Sequence, residues 1–323
     1  TKPEINLESF EPKFETAYSH LDPLSAITKQ VLLHKEPLTI GQFGQELHPV
    51  IYPSGLVMLN PRWTAETYNL FYEKYYDALY DLALKADYGQ EGVVRNMKEV
   101  WSRVTKKVDI DTLSINSILD AGCGPGYGLE YLKGLMPEIN LYGIEASPDA
   151  RLILENNVGA KVLDSDIDGD WHADYDNEFD IIILRHVVEH MLDPIKSLSN
   201  LKKTLSSQGF MYIAVPDMMH PRTILRDYNN WWEYWFRSVH AYYYSKETLF
   251  ATLLLAGLEP VFFGEENEAK KYAQLLGYNY LSSDWYKNTY KIFNNDYKLA
   301  KPKTRKKESS YLIKKYNSIF KRK

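Results

Sequence analysis

Four glycines at alternate positions, 122, 124, 126 and 128, follow an acid in Ile118-Leu-Asp-Ala-Gly-Cys-Gly-Pro-Gly-Tyr-Gly128. An apolar run ends at Asp120, and the helix-like run Leu129-Glu-Tyr-Leu-Lys-Gly-Leu135 follows the last glycine. Glycine lets backbone approach a ligand closely and takes positive φ at little cost. A loop of this composition between a strand and a helix suits the floor of a nucleotide-type site. The dinucleotide fingerprint G-x-G-x-x-G is not met, because its last slot holds Tyr127 or Leu129. Two more acids end the next apolar runs: Glu145 in Leu141-Tyr-Gly-Ile-Glu-Ala-Ser147, and Asp166 after Ala160-Lys-Val-Leu-Asp164. A carboxylate placed there can accept two hydrogen bonds from a ribose-like diol. His186 and His190 flank the end of a fourth apolar run, and His220 and His240 come later. Imidazoles titrate near neutrality and can take a proton from a hydroxyl group.

These groups act together only if a scaffold brings them to one edge. The runs at 118–121, 141–145, 160–164, 179–186 and 209–216 alternate with helix-like segments, which predicts an α/β fold on a parallel sheet. A sixth strand is expected at 258–263. The carboxyl ends of such strands are where open α/β sheets bind ligands, and Asp120, Glu145 and Asp166 all stand there. Each residue also has a purely structural reading. Asp120 can cap its loop, Glu145 can be an exposed strand-end charge, and His190 can be a solvated helix histidine. Glu189 can be a first-turn helix acid. Asp164, Asp166, Asp168 and Asp170 alternate, which suits a cation or a solvated turn that lines a pocket. Ahead of the sheet, Leu47–Gly55 reads as a hairpin or extended segment. Helices are expected from Ala65 to about Lys85, with Tyr68, Phe71, Tyr72, Tyr75, Tyr76 and Tyr80 largely on one side, and from Glu91 to about Lys106. The chain divides on this reading into 1–112, 113–265 and 266–323.

Taken in order, these segments resemble the class I S-adenosylmethionine (SAM)-dependent methyltransferases, where an acid precedes G-x-G-x-G. Val187-Val-Glu-His190-Met-Leu-Asp-Pro194 resembles the "LEH…DP" segment of the ubiquinone- and sugar-methyltransferase-like subgroup. His240-Ala-Tyr-Tyr-Tyr-Ser245, with the run to Gly257, resembles that subgroup's "H…(Y/F)-S…L…L…aGf" segment. The resemblance implies a Rossmann-like sheet with helices on both faces, to which this chain's own pattern adds a helical N-terminal region and an aromatic insert. It implies SAM as cofactor, held by Asp120, Gly122, Cys123, Gly124, Gly126, Glu145, Ala146, Asp166, Ile167 and Arg185. It implies methyl transfer to a hydroxyl or other nucleophile, with His190, His240 or His186 as proton acceptor and no metal. The segment beyond Phe263 departs from the pattern, since no good partner for a sixth strand follows. A quinol- or catechol-like small-molecule O-methyltransferase, a nicotinamide-dependent oxidoreductase and a catalytically silent, partner-binding subunit are the competing readings.

Composition and charge narrow the rest. The 323 residues are 45% hydrophobic and carry a net charge of -5. No run approaches the about eighteen apolar residues of a membrane span. The start has no apolar secretory run, so the expected location is cytoplasmic. Cys123 is the only cysteine, which excludes an intrachain disulfide and a multi-cysteine zinc site. Residues 301–323 hold ten Lys or Arg against Glu308, a local +9 that leaves -14 on residues 1–300. An acidic body argues against nucleic acid as a partner. The basic, partly apolar tail suits peripheral contact with an anionic membrane, or simply a solubilising terminus. Between the fifth strand and the next helix, Asp217–Phe236 carries Trp231, Trp232 and Trp235 with Arg222 and Arg226. Arg62 and Arg237 complete a set of four arginines able to meet a phosphate or carboxylate. Aromatic faces with basic groups suit a nucleotide sugar, a glycan end or another small-molecule acceptor; a lid packing on the N-terminal aromatics explains the same residues.

Overall fold

The structure is a computed structural model and describes residues 10–15, 23–24, 31–32, 38–40, 45–76, 89–108, 114–219 and 236–261. The described strands in chain order are β1 (Phe14–Glu15), β2 (Val31–Leu32), β3 (Leu38–Ile40), β4 (Gln45–Leu47), β5 (Pro49–Ile51), β6 (Val57–Leu59), β7 (Arg62–Trp63), β8 (Ser117–Ala121), β9 (Asn140–Ile144), β10 (Lys161–Asp164), β11 (Phe179–Arg185), β12 (Leu205–Ala214) and β13 (Tyr242–Tyr243). The α-helices are α1 (Ala65–Leu70), α2 (Gln90–Lys107), α3 (Tyr127–Leu135), α4 (Pro148–Ile153), α5 (Pro194–Thr204) and α6 (Lys246–Leu255). Contacts divide the chain into two units. One comprises 1–12, 65–215 and 252–262, and the other 13–64, 216–251 and 263–323.

The first unit is built on a five-stranded parallel sheet in the order β10-β9-β8-β11-β12. Its centre is β8, and in the neighbouring inner strand β11 Ile181, Ile182, Ile183 and Leu184 are all buried. A strand covered on both faces must be apolar at consecutive positions, and each such side chain contributes about 2 kcal/mol. Helix α2 buries Met97, Val100 and Val104, spaced three and four apart, against Leu129 and Leu132 of α3. Ile118, Ile181 and Ile183 of the sheet belong to the same core. The strand order reverses between β8 and β11, so the loops following these two strands flank the crevice where such sheets bind ligands.

Asp193-Pro194 is explained locally. The Asp193 carboxylate accepts from the Lys196 backbone N–H at 3.2 Å, and Pro194 opens α5. Proline belongs at that position because the N–H it lacks has no helical partner there. Two expectations need correction. The sixth strand expected at 258–263 is irregular over 258–261 and pairs with none of the described strands; the remainder of that segment lies outside the described residues. The helical N-terminal region is observed at 65–76 and 90–107, with a π turn at Phe71–Tyr75, but short antiparallel strands precede it.

The second unit holds an antiparallel sheet in the order β13-β6-β5-β2. Its centre is the β5–β6 hairpin, whose first strand and turn fall in the segment read as hairpin or extended while β6 lies just beyond it. Arg62, a candidate anion binder, is instead buried. Its Nε donates to Glu15 at 3.1 Å and its Nη1 to the Tyr242 hydroxyl at 3.2 Å, an internal tie between β7, β1 and β13. The basic tail, the expected helix beyond Tyr76, Arg222, Arg226, His220 and the three insert tryptophans lie outside the described residues. Among the described residues no helix is long and apolar enough to cross a membrane.

Candidate active site

The glycine loop leaves β8 and enters α3 through three left-handed residues: Gly122 at φ +78°, Gly124 at +57° and Gly126 at +81°. They differ in what surrounds them. A Cβ on Gly122 would stand 2.7 Å from Val187 Cγ2, and one on Gly126 would collide with Leu154. A Cβ on Gly124 would meet nothing within 4 Å, so the loop is open at this point and a ligand can approach bare backbone. Gly128 is corrected from the expected floor. It lies inside α3, buried, where a Cβ would stand 2.7 Å from Met97 Cε, and it serves the packing of α2 on α3.

Glu145 follows β9 and is buried, not an exposed strand-end charge. Its two oxygens accept from the backbone N–H of Gly124 at 2.8 Å and of Ser147 at 2.7 Å. The carboxylate therefore fixes the open point of the glycine loop to the start of α4, and Ser147 caps that helix by accepting from Ala150 N–H. Each oxygen keeps acceptor capacity for a second donor. Arg151 reaches back to the carbonyls of Glu145 and Ala146, both at 2.8 Å. Asp120, near the end of β8, is buried beside it, and its pKa is pushed up from 3.8 to about 7. Burial is the main cause, the Glu145 charge adds to it, and the Arg185 guanidinium pulls the other way. Burial also raises the Cys123 thiol well above its usual value, with Asp120 and Glu145 adding to the rise, so it is a packing residue and not a thiolate.

After β10, the acids make turns. Asp164 accepts from the N–H groups of Ser165 and Asp166, Asp166 from that of Asp168, and Asp168 from the Ser197 hydroxyl. The half-buried Ile167 accepts the Trp171 indole N–H on its carbonyl at 3.2 Å.

The turn after β11 concentrates the histidines. His186 is itself left-handed at φ +57°, pinned by its N–H donating to the Ala214 carbonyl at 2.8 Å. Such backbone in a non-glycine residue is uncommon and gathers at functional sites. It turns His186 Nδ1 to 3.5 Å from Glu189 Oε1. Val188–His190 forms a 3₁₀ turn, not a helix start, and this buries Glu189 to 2% exposure. His190 Nε2 lies 3.9 Å from the same oxygen, and its Nδ1 lies 3.0 Å from the Tyr72 hydroxyl. Sequence reasoning missed Tyr72 as a site residue and left Glu189 open between a catalytic group and a helix acid; the spacing His186…Glu189…His190 was the available signal. His240 belongs to the second unit, where its ring packs against Tyr243 at 5.9 Å.

Residues 88–261 match the family model of a methyltransferase domain. Among solved structures, the chain is similar to a SAM-dependent methyltransferase from Archaeoglobus fulgidus. Identity is 19%, with 63% of this chain and 86% of that one covered and a TM-score of 0.40. It is similar to a Thermotoga maritima SAM-dependent methyltransferase, described as a possible histamine N-methyltransferase, at 18% identity; 57% and 81% of the chains are covered, with a TM-score of 0.41. A plantazolicin methyltransferase in complex with a triazolic desmethylPZN analog and SAH matches at 16% identity, covering 67% of this chain and 86% of that one, with a TM-score of 0.45.

Proposed function

The chain belongs to the class I SAM-dependent methyltransferases, and we propose that it methylates a hydroxyl oxygen of a small molecule or glycan, a sugar-bearing acceptor in particular. The observation that carries the hydroxyl assignment is the His186–Glu189 pair at the end of β11. An alcohol needs a proton acceptor as its oxygen is alkylated, and an imidazole turned by a buried carboxylate is that kind of group. The sugar-bearing acceptor rests on the tryptophans and arginines read in Asp217–Phe236.

The residues present fit the cofactor. Gly124 leaves room for it, Glu145 has acceptor capacity for a ribose diol, and Ala146 and Ile167 are half-buried beside the ends of β9 and β10. In this assignment Asp120, Arg185 and the loop Gly122, Cys123, Gly124 and Gly126 hold the methionine end, and Asp166 takes the adenine amino group. SAM, when bound, supplies a methyl group already activated on a sulfonium. What the protein adds is alignment, exclusion of water and a base. His186 is that base: with Nδ1 turned to Glu189, Nε2 receives the hydroxyl proton, and Glu189 stabilises the imidazolium.

Turnover on nucleotide sugars and glycan acceptors, measured beside quinol and catechol acceptors, tests the reading. Activity on the sugar class is expected, with kcat of His186→Asn lower by about 100- to 10,000-fold and SAH affinity unchanged. Activity confined to quinols or catechols would overturn the acceptor class. SAH binding with no turnover on any acceptor would instead make the chain a cofactor-binding subunit.

A further inference from the structure

The turn after β11 sets one buried carboxylate between two imidazoles. Among the described residues neither oxygen of Glu189 has a hydrogen-bond donor in place, and the His186 ring at 3.5 Å and the His190 ring at 3.9 Å face it. One carboxylate offsets one imidazolium. Charging both rings would leave one positive charge more than the buried Glu189 can offset. Which ring takes the proton then depends on what else each one meets.

His190 meets Tyr72. Its Nε2 faces the Glu189 carboxylate and so carries hydrogen, because a bare lone pair would be repelled there. In the neutral ring Nδ1 is then an acceptor, and the Tyr72 hydroxyl at 3.0 Å donates to it. A donor on the unprotonated nitrogen favours the neutral form, since protonation would set two donors against each other. Tyr72 is held for this task by its neighbours. Its ring lies 5.3 Å from Phe71 and 5.1 Å from Tyr76, and Phe71 is fully buried with Phe10 packed against it.

We propose that Tyr72 is a positioning residue that holds His190 as the neutral Nε2–H tautomer and so reserves proton uptake for His186. The inference rests on the reading of His186 as the base. The acceptor's hydroxyl proton goes to His186 Nε2, Glu189 balances the new charge, and His190 keeps a single proton throughout the cycle.

The tautomer is read directly, without turnover, from ¹⁵N spectra of the histidine-labelled full chain; the His190 signals are those lost in His190→Asn. Expected in the wild type at about pH 7.5 is an unprotonated Nδ1 and a protonated Nε2 on His190. Tyr72→Phe converts His190 to a tautomer mixture or a cation and lowers kcat about ten-fold. An Nδ1–H tautomer in the wild type, or unchanged His190 signals in Tyr72→Phe, would overturn the proposal. Its failure is distinct from that of the base assignment. Full activity in His186→Asn with the His190 tautomer intact would remove the base and leave Tyr72's hold on His190 standing.

Discussion

Glu145 and Glu189 are both buried carboxylates at the same edge of one sheet, and they are held in opposite ways. Glu145 accepts two backbone N–H groups at 2.8 and 2.7 Å. Glu189 accepts none among the described residues and is faced by imidazoles at 3.5 and 3.9 Å. Backbone donors cannot gain or lose protons, so Glu145 is held by fixed partners that shape a loop. Imidazoles can, so the charge on Glu189 is matched only when one of them is protonated. The crevice thus has a fixed side, suited to holding a nucleoside, and a titrating side, suited to moving a proton.

The largest expected effect tests how fixed the first side is. Asp120 is buried beside Glu145, and its pKa rises from 3.8 to about 7 in the fold. Between those values the folded protein holds a proton that the unfolded chain has released. The ligand-free protein therefore loses stability as pH rises through that window, by about 4 kcal/mol in all. Asp120→Asn removes this dependence. Denaturant unfolding of both proteins from about pH 5 to about pH 8 should show the variant gaining on the wild type as pH rises. A constant difference between them would mean that Asp120 is ionised throughout.

Next in size is the direct contrast. Glu145→Ala leaves the N–H groups of Gly124 and Ser147 without their acceptor and removes the diol acceptor, so SAH affinity should fall about 100-fold in calorimetric titration. Glu189→Gln should leave SAH affinity within about two-fold and lower kcat about 10- to 100-fold. Equal losses of SAH affinity in the two variants would erase the distinction between the two sides.

The fixed side was the more legible in sequence, for a physical reason. Its residues follow from local rules: the apolar run Ile181–Leu184 for a strand buried on both faces, glycines where φ is positive, an acid directly after β9. The titrating side depends on what the chain does at a distance. Tyr72 and His190 are 118 positions apart, and an aromatic stripe on a helix says nothing of which hydroxyl meets an imidazole. The burial of Glu189 follows from a 3₁₀ turn and a left-handed histidine, neither signalled by residue type. An apolar run alone does not make a strand: 258–261 is irregular although β12 pairs, among the described residues, only with β11. Gly128 was misread because alternation with the loop glycines hid a helix contact with Met97.

That last pair of glycines supplies the smallest expected effect. Gly124 and Gly128 are four residues apart and are constrained by different things. At Gly124 a Cβ has open space but the backbone is at φ +57°, so Gly124→Ala costs about 1–2 kcal/mol of strain and also places a methyl group where backbone must meet the cofactor. At Gly128 the helical backbone accepts alanine and gains about 1 kcal/mol in propensity, offset by displacing Met97 Cε, the mobile end of a flexible side chain. Gly128→Ala should therefore leave both the unfolding midpoint and SAH affinity nearly unchanged, whereas Gly124→Ala should lower both. If Gly128→Ala were the variant that lost SAH, the cofactor floor would extend into α3, and the boundary between the ligand-binding loop and its supporting helix would have to move by a full turn.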